Sequence, residues 1–116
     1  MKILVVDDDA GLRRTASLIL ENEGYDIATA SDGDEALARA AEWMPDLILT
    51  DVRMPGVDGL EFLERHREAG GVGRTIVMTA YGSQDLAVEA IRKGAYDYID
   101  KPFSPEALLL RVRIAE

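Results

Sequence analysis

The chain has 116 residues, room for one domain with a sizeable core and not for two. Its composition, 47% hydrophobic and 30% charged, is that of an ordinary globular protein; it has no cysteine, which excludes disulfides and thiolate metal sites, and no apolar stretch as long as a membrane span. The net charge of −9, from 13 basic and 22 acidic residues, repels nucleic-acid phosphates, so direct DNA binding by this domain is not expected.

Short apolar runs alternate with amphipathic stretches. Lys2–Val6 reads as a first strand, followed by a helix over Ala10–Glu23 with Leu12, Ala16, Ile19 and Leu20 at helical spacing. Gly24 supplies a left-handed stop, and Asp26–Ala30 is a second, weaker strand. Ser31 or Asp32 caps a second helix that carries Ala36, Leu37, Ala40 and Ala41 inward and ends before Pro45. Asp46–Thr50 is the third strand, and after a Pro-Gly turn Asp58 caps a third helix. Thr75–Thr79 then reads as strand four, Ser83–Lys93 as helix four, Tyr96–Asp100 as strand five and Ser104–Ile114 as helix five.

Five β-α units in strict alternation require parallel strands and right-handed crossovers. Strands one, three and four are almost wholly apolar, as central strands covered on both faces must be; strand five is more polar and suits an edge. The expected architecture is a single α/β domain, a doubly wound five-stranded parallel sheet of order 2-1-3-4-5. Its ligand crevice opens at the carboxyl ends of strands one and three. With no signal-peptide pattern ahead of the first strand, the expected location is the cytoplasm, without membrane contact. The ending Arg113-Ile114-Ala115-Glu116, within or just after a helix, reads as the place where a longer protein was cut.

The strand ends carry the chemistry. Asp7-Asp8-Asp9 follows strand one and Asp51 follows Leu47-Ile48-Leu49-Thr50, so both reach one acidic pocket. Such a pocket calls for a divalent metal with oxygen ligands and, behind it, a phosphoryl group. Thr79 closes strand four before the small Ala80; Lys101 follows strand five before Pro102, with Tyr98 three residues earlier.

Four segments in order, Asp7-Asp8, Asp51-Val52-Arg53-Met54-Pro55-Gly56-Val57-Asp58-Gly59, Met78-Thr79-Ala80 and Lys101-Pro102-Phe103, give the chain its likeness. Over its whole length it resembles the receiver domain of a bacterial two-component response regulator, most of all receivers of ATPase-type (enhancer-binding) transcription activators. The resemblance implies that Asp51 is the phosphoacceptor and that Mg2+ (or Mn2+) is held by Asp8, Asp51, the backbone carbonyl of Arg53 and, through water, Asp7. Lys101 and Thr79 would hold phosphoryl oxygens, and a cis Lys101-Pro102 bond would aim the lysine. It further implies a switch in which Thr79 is drawn inward and Tyr98 turns into the vacated space, altering the surface of helix four, strand five and helix five. The implied partners are a sensor histidine kinase, docking on Gly11, Leu12, Thr15 and Leu18 with Pro102 and Phe103, an attached or separate output domain, and a second copy in a phosphorylation-dependent homodimer. Such a domain supports its own phosphorylation and dephosphorylation and turns over no external substrate.

Blander readings stand beside these. Asp7 to Asp9 also suit a helix N-terminus, Asp9 most of all, and Asp58 reads as a cap. Tyr98 has a competing reading as a plain strand aromatic, and Arg53 and Tyr81 either tune phosphate lifetime or are exposed loop residues. His66, in the charged run Glu64–Glu68, is expected to be solvated, Trp43 to pack under Pro45, and Gly70-Gly71-Val72-Gly73 to be a connection only. A haloacid-dehalogenase-type phosphatase needs a second aspartate where Arg53 stands. A flavodoxin-like flavin binder would not place Asp7-Asp8-Asp9 in its phosphate loop. A receiver serving only as an interaction module would lack part of the site, and a free-standing receiver is the alternative to one joined to an activator.

Overall fold

The computed structural model describes residues 1–80 and 83–116. Within them alternate β1 (Lys2–Val6), α1 (Ala10–Asn22), β2 (Asp26–Ala30), α2 (Gly33–Trp43), β3 (Leu47–Asp51), α3 (Gly59–Glu68), β4 (Arg74–Ala80), α4 (Gln84–Arg92), β5 (Asp97–Lys101) and α5 (Pro105–Ala115). The strands form one parallel sheet, as the alternation requires, and take the expected order β2-β1-β3-β4-β5.

Side chains on a strand point alternately to opposite faces, so an unbroken apolar run feeds two cores at once. Ile3 and Val5 of β1, Leu47 and Leu49 of β3, and Ile76 and Met78 of β4 pack with Ala16 and Leu20 of α1 and Leu108 and Val112 of α5. The intervening Leu4, Val6 and Ile48 meet Ala36 and Ala40 of α2 and Phe62 of α3. Val77 continues that second face beneath Leu63 of α3 and Ala90 of α4.

The helix starts follow from short polar side chains. Asp9 accepts the amides of Gly11 (2.9 Å) and Leu12 (3.2 Å), Asp58 that of Glu61 (2.9 Å), and Ser104 that of Ala107 (3.1 Å). At α2 both candidate residues take part. Asp32 caps through the Glu35 amide at 2.8 Å, and the Glu35 carboxylate returns to the Ser31 amide at 2.7 Å. Met44, in the left-handed region at φ 52°, closes α2 just before Pro45. The Lys101-Pro102 bond is cis.

Several local expectations are corrected. His66 is buried, not solvated: its ring stacks on Phe62 with centroids 5.4 Å apart, and its Nε2 bonds the Val72 carbonyl at 2.9 Å. The connection Gly70–Gly73 folds over it, and a Cβ on Gly71 would lie 2.2 Å from the ring. Ala41 is exposed, beside a groove between α2 and α3, because α2 packs mainly through Gly33, Ala36 and Ala40. Apart from these corrections, Trp43 at the end of α2 lies half-buried against the core, with the Lys2 ammonium 5.4 Å from its ring centroid. Strand β5 begins one residue later than expected, since its register on β4 opens with Asp97 opposite Ile76, while the Tyr96 ring lies against the Arg74 guanidinium.

Gly59 ties the fold to the crevice. The N-terminus of α3 comes so close to the end of β3 that a Cβ there would sit 2.1 Å from the Asp51 carbonyl oxygen. Its amide donates to the Val52 carbonyl at 2.8 Å. Gly59→Ala is expected to cost about 1–3 kcal/mol by overpacking against backbone that has no room to retreat. Urea unfolding measures this; a loss under about 0.5 kcal/mol, the usual size for an unconstrained surface site, would show that α3 can shift freely.

Candidate functional site

Parallel pairing sets Val6 beside Thr50, so the residues that follow, Asp7 and Asp8, stand next to Asp51. One carboxylate oxygen from each of Asp7, Asp8 and Asp51 lies within 4.8 Å of the others. Asp7 is fully buried, Asp51 has 13% of its side chain exposed, and Asp8 faces solvent. Lys101 reaches in from β5, its Nζ 2.9 Å from Asp7 Oδ2 and 3.2 Å from Asp51 Oδ2. Directly opposite it in register, β4 ends in Ala80, whose methyl group leaves the way clear.

The loop after Asp51 is fixed by what it buries. Val52, Met54 and Val57 enter the core, which leaves Arg53, Pro55 and Gly56 on the rim. Asp7 is held by groups that the sequence did not single out as partners. Its Oδ1 accepts the Asp9 amide at 2.9 Å, and its backbone carbonyl accepts Arg13 Nη1 at 2.7 Å. The visible signal for Arg13 was a basic residue in the first turn of the helix that follows the acidic run. Asp9 is the N-cap of α1, as its bland reading held.

Thr79 is buried and does not bond to Asp51. Its Oγ1 donates to Asp100 Oδ1 at 3.2 Å, between neighbouring strands where Thr79 and Asp100 are register partners. Asp100 was missed because its partner lies 21 residues away on another strand. Tyr98 is half-buried against the cluster of Val52, Leu63, Val77 and Ala90, on the same face as Thr79. Tyr81 lies outside the described residues.

Three carboxylates facing one ammonium leave net negative charge in a small volume. A like-charged pair about 4 Å apart costs roughly 4 kcal/mol at an effective dielectric near 20. The donor set, all oxygen and partly open to solvent through Asp8, fits a hard divalent cation. Among the described residues this is the one acidic or histidine cluster able to hold a metal.

These features define an acidic, metal-competent site at the switch point of a doubly wound sheet. The chain belongs to the response regulator receiver domain family, which matches residues 3–113. It is 46% identical over 112 residues to the transcriptional regulatory protein ResD of Bacillus subtilis, covering 97% of this chain and 46% of that protein. It superposes on NtrX of Brucella abortus with a TM-score of 0.93 and 37% identity, over 98% of this chain and 26% of that one. Chemotaxis protein CheY4 of Vibrio cholerae gives 0.93 and 35%, over 99% of this chain and 98% of that one. The chain thus spans about half the length, or less, of the curated relatives it matches. No helix among the described residues is long and apolar enough to cross a membrane.

Burial pushes the Asp51 carboxyl up from its ordinary value; the Lys101 charge pulls it down, the Asp7 charge pushes it up again, and the net direction is upward. At Lys101 burial opposes the ammonium, but its bond to Asp7 and the charges of Asp51 and Asp7 outweigh burial, and its pKa is raised. A carboxyl whose folded pKa exceeds its unfolded one holds more protons when folded, so stability falls as pH rises between the two values. Ionised Asp51 therefore lowers stability at neutral pH. In metal-free buffer, Asp51→Asn is expected to raise Tm by a few degrees at neutral pH, with the gain vanishing below about pH 4. Thermal melts at both pH values check this; an equal gain at each would remove Asp51 ionisation as the cause.

Proposed function

We propose that the chain is a phosphorylation-dependent signalling switch that accepts a phosphoryl group on Asp51 from the phosphohistidine of a sensor histidine kinase. The observation that carries this is the convergence of Asp51 with Lys101 at 3.2 Å beside the Asp7–Asp8 pair. A carboxylate oxygen of Asp51 attacks phosphorus, the P–N bond to the kinase imidazole breaks, and the imidazole leaves with its electron pair and takes up a proton. The transition state is loose, so the protein's part is to position groups and balance charge. The Lys101 ammonium, already beside Asp51, takes a phosphoryl oxygen, and the Thr79 hydroxyl takes another. Asp8, Asp51 and the Arg53 carbonyl, with Asp7 behind them, would hold Mg2+ (or Mn2+), which would supply neutralisation of the charge on the transferring group.

When Thr79 turns inward it vacates space that Tyr98 enters, which re-forms the surface of α4, β5 and α5. That surface controls an output domain, in the reading favoured by ResD a transcriptional one. A free-standing receiver is the second reading, supported by CheY4, nearly all of whose chain this one matches. The domain turns over no external substrate, works in the cytoplasm and does not itself grip nucleic acid.

Intact mass after incubation with acetyl phosphate, with and without magnesium, tests the chemistry. One added phosphoryl group is expected for wild type with magnesium, and none without the metal or in Asp51→Asn. No adduct in wild type, together with no binding of the stable mimic beryllofluoride, would overturn the proposal. The exposed apolar residues Val88, Ile91, Tyr96, Leu110 and Ile114 lie on α4, just before β5 and on α5, and support a phosphorylation-dependent homodimer through that face. Sedimentation velocity is expected to show a shift from monomer to dimer on beryllofluoride binding; identical profiles over a concentration series would sink this part.

A further inference from the structure

The Thr79 hydroxyl has one proton and can give it to one strong acceptor at a time. In this structure that acceptor is Asp100, at 3.2 Å, and not Asp51. The placement follows from the sheet: Thr79 and Asp100 are register partners on β4 and β5, on the face that also carries Val77 opposite Tyr98. Thr79 is 2% exposed, so its hydroxyl has little access to water as an alternative partner, whereas Asp100 is open to solvent. The contact is thus a bond between a buried donor and a hydrated carboxylate, able to hold the hydroxyl yet weak enough to be surrendered to a more highly charged phosphoryl oxygen.

We propose that Asp100 is a positioning residue that retains the Thr79 hydroxyl on the β5 side of the site and so sets the bias of the unphosphorylated switch toward its resting state. This rests on the receiver function proposed above, in which Thr79 moves toward Asp51. Asp100 touches no reacting atom; it acts through Thr79. Removing its acceptor frees the hydroxyl before phosphorylation and lowers what must be given up when Thr79 turns.

The test is the affinity for beryllofluoride with magnesium, followed by NMR titration, and the rate of phosphorylation by acetyl phosphate. It compares wild type, Asp100→Ala, Asp100→Asn, Thr79→Val and the double variant Asp100→Ala with Thr79→Val. Asp100→Ala is expected to tighten beryllofluoride binding and to speed phosphorylation by about threefold, the scale of one modest hydrogen bond. Asp100→Asn, which keeps an oxygen acceptor and loses the charge, is expected to restore values near wild type. In the Thr79→Val background Asp100→Ala is expected to change nothing. Asp100→Asn, at an exposed residue and with an oxygen acceptor kept, is expected to leave Tm within about 2 °C of wild type. Equal tightening by Ala and Asn, or an effect of Asp100→Ala that survives in Thr79→Val, would mean that the carboxylate acts only by its charge and would overturn the proposal. An Asp100→Ala protein indistinguishable from wild type while both bind beryllofluoride would overturn it as well. Wild type that takes up neither beryllofluoride nor a phosphoryl group would overturn the receiver function itself, and the role of Asp100 with it.

Discussion

Everything at the crevice depends on the crowding of Asp7, Asp8 and Asp51, a cluster that opposes its own assembly and is held by the sheet behind it. Parallel pairing of β1 with β3 brings the two acidic strand ends side by side whatever their charges prefer. The opposing force is several kcal/mol by Coulomb's law at a moderate dielectric, and the buried apolar side chains of the central strands have to exceed it. Lys101 offsets part of the repulsion, and a divalent cation suits what is left. A site of this kind carries unfavourable electrostatics that a bound divalent cation would relieve.

The supporting structure can be understood as a set of anchors around that cluster. Met54 and Val57 sink into the core under α2 and α3, which fixes the loop after Asp51 while leaving Arg53 and Pro55 at the rim. Gly59 permits α3 to start almost in contact with the Asp51 backbone. Asp9 caps α1, and Arg13, one turn on, bonds the Asp7 carbonyl, so the acidic turn is tied to the helix that follows it. On the far side Lys101 crosses above Ala80, and the strand that delivers Lys101 also delivers Asp100 to Thr79. Charge balance and the position of the Thr79 hydroxyl are thereby set by consecutive residues of β5, pointing to different sides of the sheet.

Membership of the receiver domain family accounts for the whole matched length, residues 3–113. The relatives differ in what surrounds the same domain: ResD is about twice as long as the matched region and NtrX about four times, while CheY4 is almost fully covered. The shared domain therefore does not by itself say what is attached to it.

Much of this was legible without coordinates, because the decisive signals were local. Apolar runs flanked by helical periodicity marked the alternating elements, strict β-α alternation required parallel strands, and the apolar first, third and fourth strands with the more polar fifth suited the order 2-1-3-4-5. Asp7, Asp8, Asp51, Thr79 and Lys101 were visible as strand-end residues for the same reason, since where a strand ends is written in the few residues around it. Side-chain pairing across elements was not legible. The burial of His66 depends on a glycine-rich connection folding back over its ring, although its immediate neighbours are all charged. The exposure of Ala41 reflects the angle at which α2 meets the sheet. The bonds of Thr79 to Asp100 and of Arg13 to the Asp7 carbonyl depend on strand register and side-chain rotamer. The sequence by itself determined the order of elements and the residues brought to the crevice, because these follow from backbone periodicity and chain connectivity. Only the tertiary structure decided which donor meets which acceptor there, because a hydrogen bond needs two groups placed to within a fraction of an ångström by parts of the chain far apart in sequence.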